Sequence, residues 1–332
     1  MTLQTRYLTV VSPIAPIDAD ALRVLEMARA SGRPPIQDQT PEEARQAYAR
    51  GRKAVAAAPQ PVALSRDIRI AGPDGSLGLR LYRAQGSTEA EMLPVLLYFH
   101  GGGWVLGDLE SHDAVCRGLA NAGRCAVVAV DYRLAPEHRF PAALEDGIAA
   151  LRWLHDHSVE FRVDPRRIAV GGDSAGGNLA AVLALLGRDR AVPACCFQVL
   201  IYPSTDLTLG HEAHRRPIED LALTAEAMRW FRAQYLGSAA ESLDWRASPL
   251  HAPTLRGAPP AFVVTVGHDP LSDEGEAYAT RLRDEGVPVI HRHLPDQIHG
   301  FLAMGGVIRR AGVVIEEIGA SLDAHWASDA GP

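Results

Sequence analysis

Ile168-Ala-Val-Gly-Gly-Asp-Ser-Ala-Gly-Gly177 decides the reading of this chain. A short apolar run enters Gly172-x-Ser174-x-Gly176, and a helix-type pattern (178–186) leaves it. A serine on a strand-to-helix turn, with glycines two residues to either side, is a nucleophile elbow. The glycines let strand and helix pass closely. The Ser174 hydroxyl is then expected at the carboxyl edge of a sheet. It also stands at the N-terminus of a helix, whose dipole favours a developing negative charge. Such a motif also occurs in ordinary glycine-rich turns, but here the strand before it and the helix after it argue for the elbow.

Outward from this point, short β-branched or apolar runs recur at 62–70, 77–82, 95–99, 125–130, 195–201, 261–266 and 287–293. Helix-length patterns lie between the later ones, at 111–122, 141–157, 174–186 and 272–285, with a last one at 305–324. Asp74-Gly75 marks a hairpin between the first two runs. The alternation beyond it predicts an α/β fold, a mainly parallel eight-stranded sheet with helices on both faces. Two helix patterns precede the strands: 18–30, and one opening with the capping box Thr40-Pro-Glu-Glu43, which Gly51 threatens to interrupt. The chain divides into an N-terminal helical segment (1–60), a first part of the core (61–202), an insertion (203–258) with a helix pattern at 224–236, and a second part of the core (259–332).

A second motif is independent of the first. Tyr98-Phe-His-Gly-Gly-Gly-Trp104 follows a buried-type strand. Three consecutive glycines leave backbone N–H groups uncovered, and such donors can face a tetrahedral oxyanion. Ala175 N–H, just after the serine, would complete the hole. A phosphate cradle is the competing use, but no Lys-Ser/Thr follows the glycines. His100 is expected to anchor the loop by hydrogen bonding.

A serine hydroxyl needs a base, and the base needs a carboxylate to orient it. His299 follows the last strand, and Asp269 follows the strand before it, so both fall on carboxyl-edge loops. The chain order Ser174, Asp269, His299 is that of α/β-hydrolases. Asp273 is the rival acid, set in a helix start, and His268 is the rival base. His291 and His293 alternate on one strand and, with Asp296, could ligate a metal, although a solvated strand end is commoner. His211 and His214 lie in the insertion and could line an entrance, although loop surface is the commoner role.

Composition sets the outer limits. The chain has 332 residues, 47% hydrophobic and 22% charged, with a net charge of −7. That suits a globular core and argues against nucleic acid, which requires clustered positive charge. No apolar run reaches the roughly 18 residues of a membrane span. Pro13 and Pro16 break the apolar patch near the N-terminus before a signal-peptide core could form, so a cytoplasmic protein is expected. Four cysteines without CxxC spacing agree with that.

His100-Gly-Gly-Gly-Trp104, Asp131-Tyr-Arg-Leu-Ala-Pro-Glu137, Gly172-Asp-Ser-Ala-Gly176, Asp269-Pro-Leu-Ser-Asp-Glu-Gly275 and His299-Gly-Phe301 occur together in this order. In this the chain resembles the bacterial hormone-sensitive-lipase-like esterases of the α/β-hydrolase superfamily. The resemblance implies a Ser174–His299–Asp269 triad and an oxyanion hole from Gly102, Gly103 and Ala175, with Gly101 shaping the loop. It implies a helical cap built from the N-terminal helices and part of 203–236. It further implies a carboxylesterase acting on small-molecule esters of short to medium acyl chains, without a cofactor or metal. Ser272 departs from the family, which usually has Arg there. Gly101, Trp104, Asp173 and Phe301 are candidate neighbours of the substrate pocket. Asp131, Tyr132, Arg133 and Glu137 are expected to form a structural network, with a buried ion pair, that joins loops near the site. The alternatives are an amidase or formamidase on the same triad, or a non-catalytic binder of small ligands. The late strand (287–293), as an edge, leaves a homodimer open.

Overall fold

The computed structural model describes residues 15–215 and 222–329. Residues 1–14, which include Pro13 and the apolar patch before it, lie outside them. Eight strands form one sheet in the order β1-β2-β4-β3-β5-β6-β7-β8. They are β1 (Leu64–Gly72), β2 (Gly75–Arg83), β3 (Leu93–Phe99), β4 (Ala126–Asp131), β5 (Val163–Asp173), β6 (Phe197–Ile201), β7 (Ala261–His268) and β8 (Val289–Ile298). The β1–β2 hairpin and its join to β4 are antiparallel, and every other neighbouring pair is parallel. The α/β-hydrolase architecture expected from the sequence is therefore present.

Alternation along the central strands builds two cores. On β3, Val95, Leu97 and Phe99 join one cluster with α4 (Ala142–Asp156), α5 (Ala175–Arg188) and α7 (Ser272–Asp284). Leu96 and Tyr98 join the other, with α3 (Asp113–Ala122) and α8 (Arg310–Asp329). Both faces are covered, which is why these strands read as continuous apolar runs rather than alternating ones.

Before the sheet come α1 (Ala19–Ala30), capped by Asp18, and α2 (Pro41–Val55). Thr40 and Glu43 form the full capping box, and α2 runs unbroken through Gly51 because both ends are anchored. Between β6 and β7, α6 (Ala225–Tyr235) packs Ala227 and Met228 against Leu271, with Ile36 and Phe231 alongside. This small cluster joins the N-terminal segment, the insertion and the loop after β7. No helix among the described residues is long and apolar enough to cross a membrane.

Among the element boundaries that differ from the sequence reading are the end of β8 and the start of the last helix. β8 continues past His293 and Pro295 to Ile298, because an edge strand tolerates a proline that a central strand would not. The last helix starts at Arg310 rather than 305. The preceding residues form a short 3₁₀ turn, Phe301–Met304, and Gly306 N donates to Val55 O at the end of α2.

The layer assignment predicts a contrast. Leu96→Ala, at a fully buried position, should lower the unfolding free energy by about 2–5 kcal/mol. Ile290→Ala, on the exposed side of β8 at 53% exposure, should change it by no more than about 0.5 kcal/mol. Urea titration of the two variants measures both.

Candidate active site

Ser174 sits between β5 and α5 at φ 57°, ψ −118°, a backbone that a non-glycine residue adopts only when its surroundings enforce it. They do so here. Ser174 N donates to Ile201 O at 2.9 Å, and Ser174 O accepts from Asn178 N at 3.1 Å. The flanking glycines answer a steric demand. A Cβ on Gly176 would lie 1.9 Å from Phe99 O, and one on Gly172 would lie 2.4 Å from the same oxygen. The elbow is pressed against the end of β3.

His299, just beyond β8, places Nε2 2.9 Å from Ser174 Oγ and Nδ1 2.7 Å from Asp269 Oδ2. The other carboxylate oxygen of Asp269 accepts from Leu271 N at 2.9 Å. A ring nitrogen facing a carboxylate carries the proton, so Nε2 presents its lone pair to the serine hydroxyl. Asp269 and Ser174 are buried, and the His299 side chain keeps 11% exposure. The Tyr202 ring lies 4.8 Å from the imidazole. The rivals are engaged elsewhere: Asp273 accepts from Ala213 N at 3.0 Å, and His268 Nε2 donates to Ala15 O at 2.8 Å.

The three-glycine loop follows β3. Gly102 O accepts from Val105 N and Leu106 N, which closes the loop into a tight turn. Among the described residues, the N–H groups of Gly102 and Gly103 donate to no protein acceptor. That of Ala175 opens α5, where a helix supplies no acceptor. Gly103 has φ +61°, and a Cβ there would meet the Phe231 ring at 2.2 Å, so α6 lies directly over this loop. Trp104 is buried and stacked on Tyr235 at 4.1 Å. His100 stacks on Tyr132 at 4.2 Å and donates from Nδ1 to Gly101 O at 2.9 Å, the anchoring expected of it.

Asp173 turns inward. Its Oδ1 accepts from Tyr98 OH at 2.8 Å and from Gly101 N at 3.0 Å, and His112 Nε2 stands 3.2 Å away. Burial would push this carboxyl up, but His112 and the Tyr98 hydroxyl outweigh it and hold it well below the usual carboxylate range. Phe301 is fully buried with its ring edge-on to Tyr202. Gly101 lies above Asp173, whose Oδ2 would be 2.4 Å from an added Cβ. His112 was not singled out from the sequence, because Ser111-His-Asp carries no motif; only the fold shows its partner.

Two expectations need correction. Asp131, Tyr132, Arg133 and Glu137 do tie to other elements, but Asp131 and Glu137 are exposed rather than buried. Arg133 pairs with Asp146 on α4, Glu137 pairs with Arg45 on α2, Tyr132 OH donates to His100 O, and Asp131 is exposed. The chain turns away at each residue, so each finds its partner on a different element. His214 is buried rather than on the loop surface, with Nε2 2.7 Å from Glu274 Oε2 on α7. Glu274 is fully buried and also accepts from Thr205 N and Asp206 N, which secures the start of the insertion. His291 and His293 do share a face, and both lie within 3 Å of Thr265 Oγ1. No metal-ligating group of three or more residues is found among the described residues.

Residues 96–303 match a protein family described as having the alpha/beta hydrolase fold. The chain is 44% identical over 265 residues to Carboxylic ester hydrolase LipN of Mycobacterium tuberculosis, covering 78% of this chain and 70% of that protein. It is 37% identical over 308 residues to Ethyl acetate hydrolase of Pseudomonas putida, covering 92% and 96%. Among solved structures it is similar to an ester-hydrolase from the metagenome of Lake Arreo, complexed with a derivative of bipyridine phosphonate. That match has a TM-score of 0.90 and 39% identity, covering 94% of this chain and 99% of the other.

The loop anchor predicts an acid limit on stability. Burial, and then the neighbouring His112, push His100 down from 6.5 to about 4. Between those pH values the unfolded chain takes up a proton that the folded chain refuses. Stability from this residue is therefore intact above pH 6.5 and is lost as pH falls toward 4, by about 1.4 kcal/mol per pH unit within the window. Denaturant titrations across this range should give a shallower slope for His100→Gln than for wild type.

Proposed function

Because the chain belongs to the hormone-sensitive-lipase-like esterases of the α/β-hydrolase superfamily, and is a carboxylic ester hydrolase, we propose that Ser174, His299 and Asp269 carry the reaction. The observation that supports this most is the continuous hydrogen-bond chain from Ser174 Oγ through His299 to Asp269. In this reading His299 Nε2 takes the hydroxyl proton as Ser174 Oγ attacks the ester carbonyl. Asp269 holds the tautomer and stabilises the imidazolium. The N–H groups of Gly102, Gly103 and Ala175 receive the oxyanion. The alcohol leaves with the proton from His299. Water, deprotonated by His299 in turn, then cleaves the acyl-enzyme and frees the acid and Ser174.

The substrates proposed are esters of short to medium acyl chains. The insertion and the N-terminal helices act as a cap over the site. Support comes from the apolar cluster of Leu223, Met228, Leu271, Ile36 and Phe231, and from the Phe231 ring against Gly103. A side chain packed on an oxyanion donor limits the room beside the reacting carbonyl.

Two measurements test this. Ser174→Ala should reduce kcat/KM on p-nitrophenyl butyrate by about 10⁴-fold or more; retention of turnover would place the nucleophile elsewhere. Across a p-nitrophenyl series from acetate to laurate, Phe231→Ala should raise the ratio of long-chain to short-chain kcat/KM by about tenfold or more. An unchanged ratio would remove Phe231 from the pocket wall.

A further inference from the structure

The loops that carry Gly102–Gly103 and His299 follow β3 and β8, and β5, β6 and β7 lie between those strands. Among the described residues, no ladder hydrogen bond joins the two loops. Apart from the elbow itself, which meets them through Ser174 and Asp173, the helix α2 reaches both. On α2, Arg45 donates from Nε to Val105 O at 2.9 Å and from a terminal nitrogen to Ala135 O at 2.8 Å. Its guanidinium is held in turn by Glu137. Val105 is the residue after Trp104, so this contact fixes the end of the glycine loop.

Seven residues further along, Arg52 donates to Gly300 O at 3.2 Å, directly beside His299. Residues seven apart share a helix face, here about 10 Å apart along the axis. The Arg52 guanidinium also stands over the Tyr48 ring at 4.8 Å. It has no carboxylate within ion-pair distance among the described residues. Its hydrogen bond to Gly300 O ties it to the histidine loop. Val55 O, accepting from Gly306 N at 2.9 Å, pins the same loop again.

We infer that α2 is a brace for the reaction centre, with Arg45 and Arg52 as positioning residues that set the oxyanion loop and the His299 loop at a fixed separation. This rests on the site assignment proposed above. Neither arginine needs to touch substrate. A rigid helix transmits the position of one loop to the other, and the capping box at Thr40 keeps its first turn from fraying. The consequence is kinetic: loosening either contact lets donors and base drift apart, and drift of about 1 Å can reduce the chemical step by about 10²-fold.

The test uses Arg45→Met, Arg52→Met, Arg52→Lys and, as a control, Arg50→Met, whose residue is exposed on the same helix. Turnover of p-nitrophenyl butyrate is counted per serine titrated by a phosphonate ester, so unfolded molecules drop out. The brace predicts that kcat falls about 10–100-fold in Arg45→Met and Arg52→Met, with KM within about twofold of wild type. Arg52→Lys should recover part of the loss, and Arg50→Met should match wild type. Unchanged kcat in both methionine variants would overturn the brace. So would a rise in KM at constant kcat, the mark of a substrate contact, or an equal loss in Arg50→Met. Failure of the underlying site assignment is separately visible, as turnover that survives Ser174→Ala.

Discussion

One buried carboxylate, Asp173, holds the two halves of the site against each other. It stands immediately before Ser174 on the elbow, and it accepts from Gly101 N at the start of the glycine loop. Tyr98 and His112 complete its shell. An ionised carboxylate away from water persists only when its oxygens are satisfied in this way. The close approach of Gly172 and Gly176 to Phe99 O is the steric side of the same constraint. With β5 and β3 locked together, the left-handed backbone of Ser174 has nowhere to relax.

The parts legible in the sequence were those set by local pattern. Strand–turn–helix context around Gly172, Ser174 and Gly176 located the elbow. Asp269 and His299 could be placed because each follows a buried-type strand, and a parallel sheet brings successive strand ends to one edge. The capping box at Thr40 was equally local. What the pattern could not supply was long-range pairing. Arg133 with Asp146, Glu137 with Arg45, and His112 with Asp173 join residues whose proximity depends on loop paths. His214 read as surface because a lone histidine in a polar insertion gives no sign of Glu274 beneath it. The N-terminal helices were visible as helices, but their contacts with the loops at Val105 and Gly300 appear only in three dimensions.

In the proposed mechanism, chemistry and selectivity sit on different layers of the molecule. Ser174, Asp269 and His299 extend from the carboxyl ends of β5, β7 and β8, whose positions are set by the sheet ladder. Phe231, Ile36 and Leu223 belong to segments outside the ladder, packed on one another and on Leu271. A layer of that kind can change its side chains with little disturbance to the sheet beneath. The arginines of α2 connect the layers, since the helix belongs to the N-terminal segment while its hydrogen bonds end on the core loops.

The proposed mechanism requires Ser174 to be the one activated nucleophile. The most direct measurement is stoichiometric inactivation by a fluorophosphonate ester, followed by intact mass and peptide mapping. One adduct per chain is expected, on Ser174, formed in step with loss of esterase activity and absent from Ser174→Ala. Inactivation with the adduct on another residue, or full occupancy of Ser174 with activity retained, would contradict it.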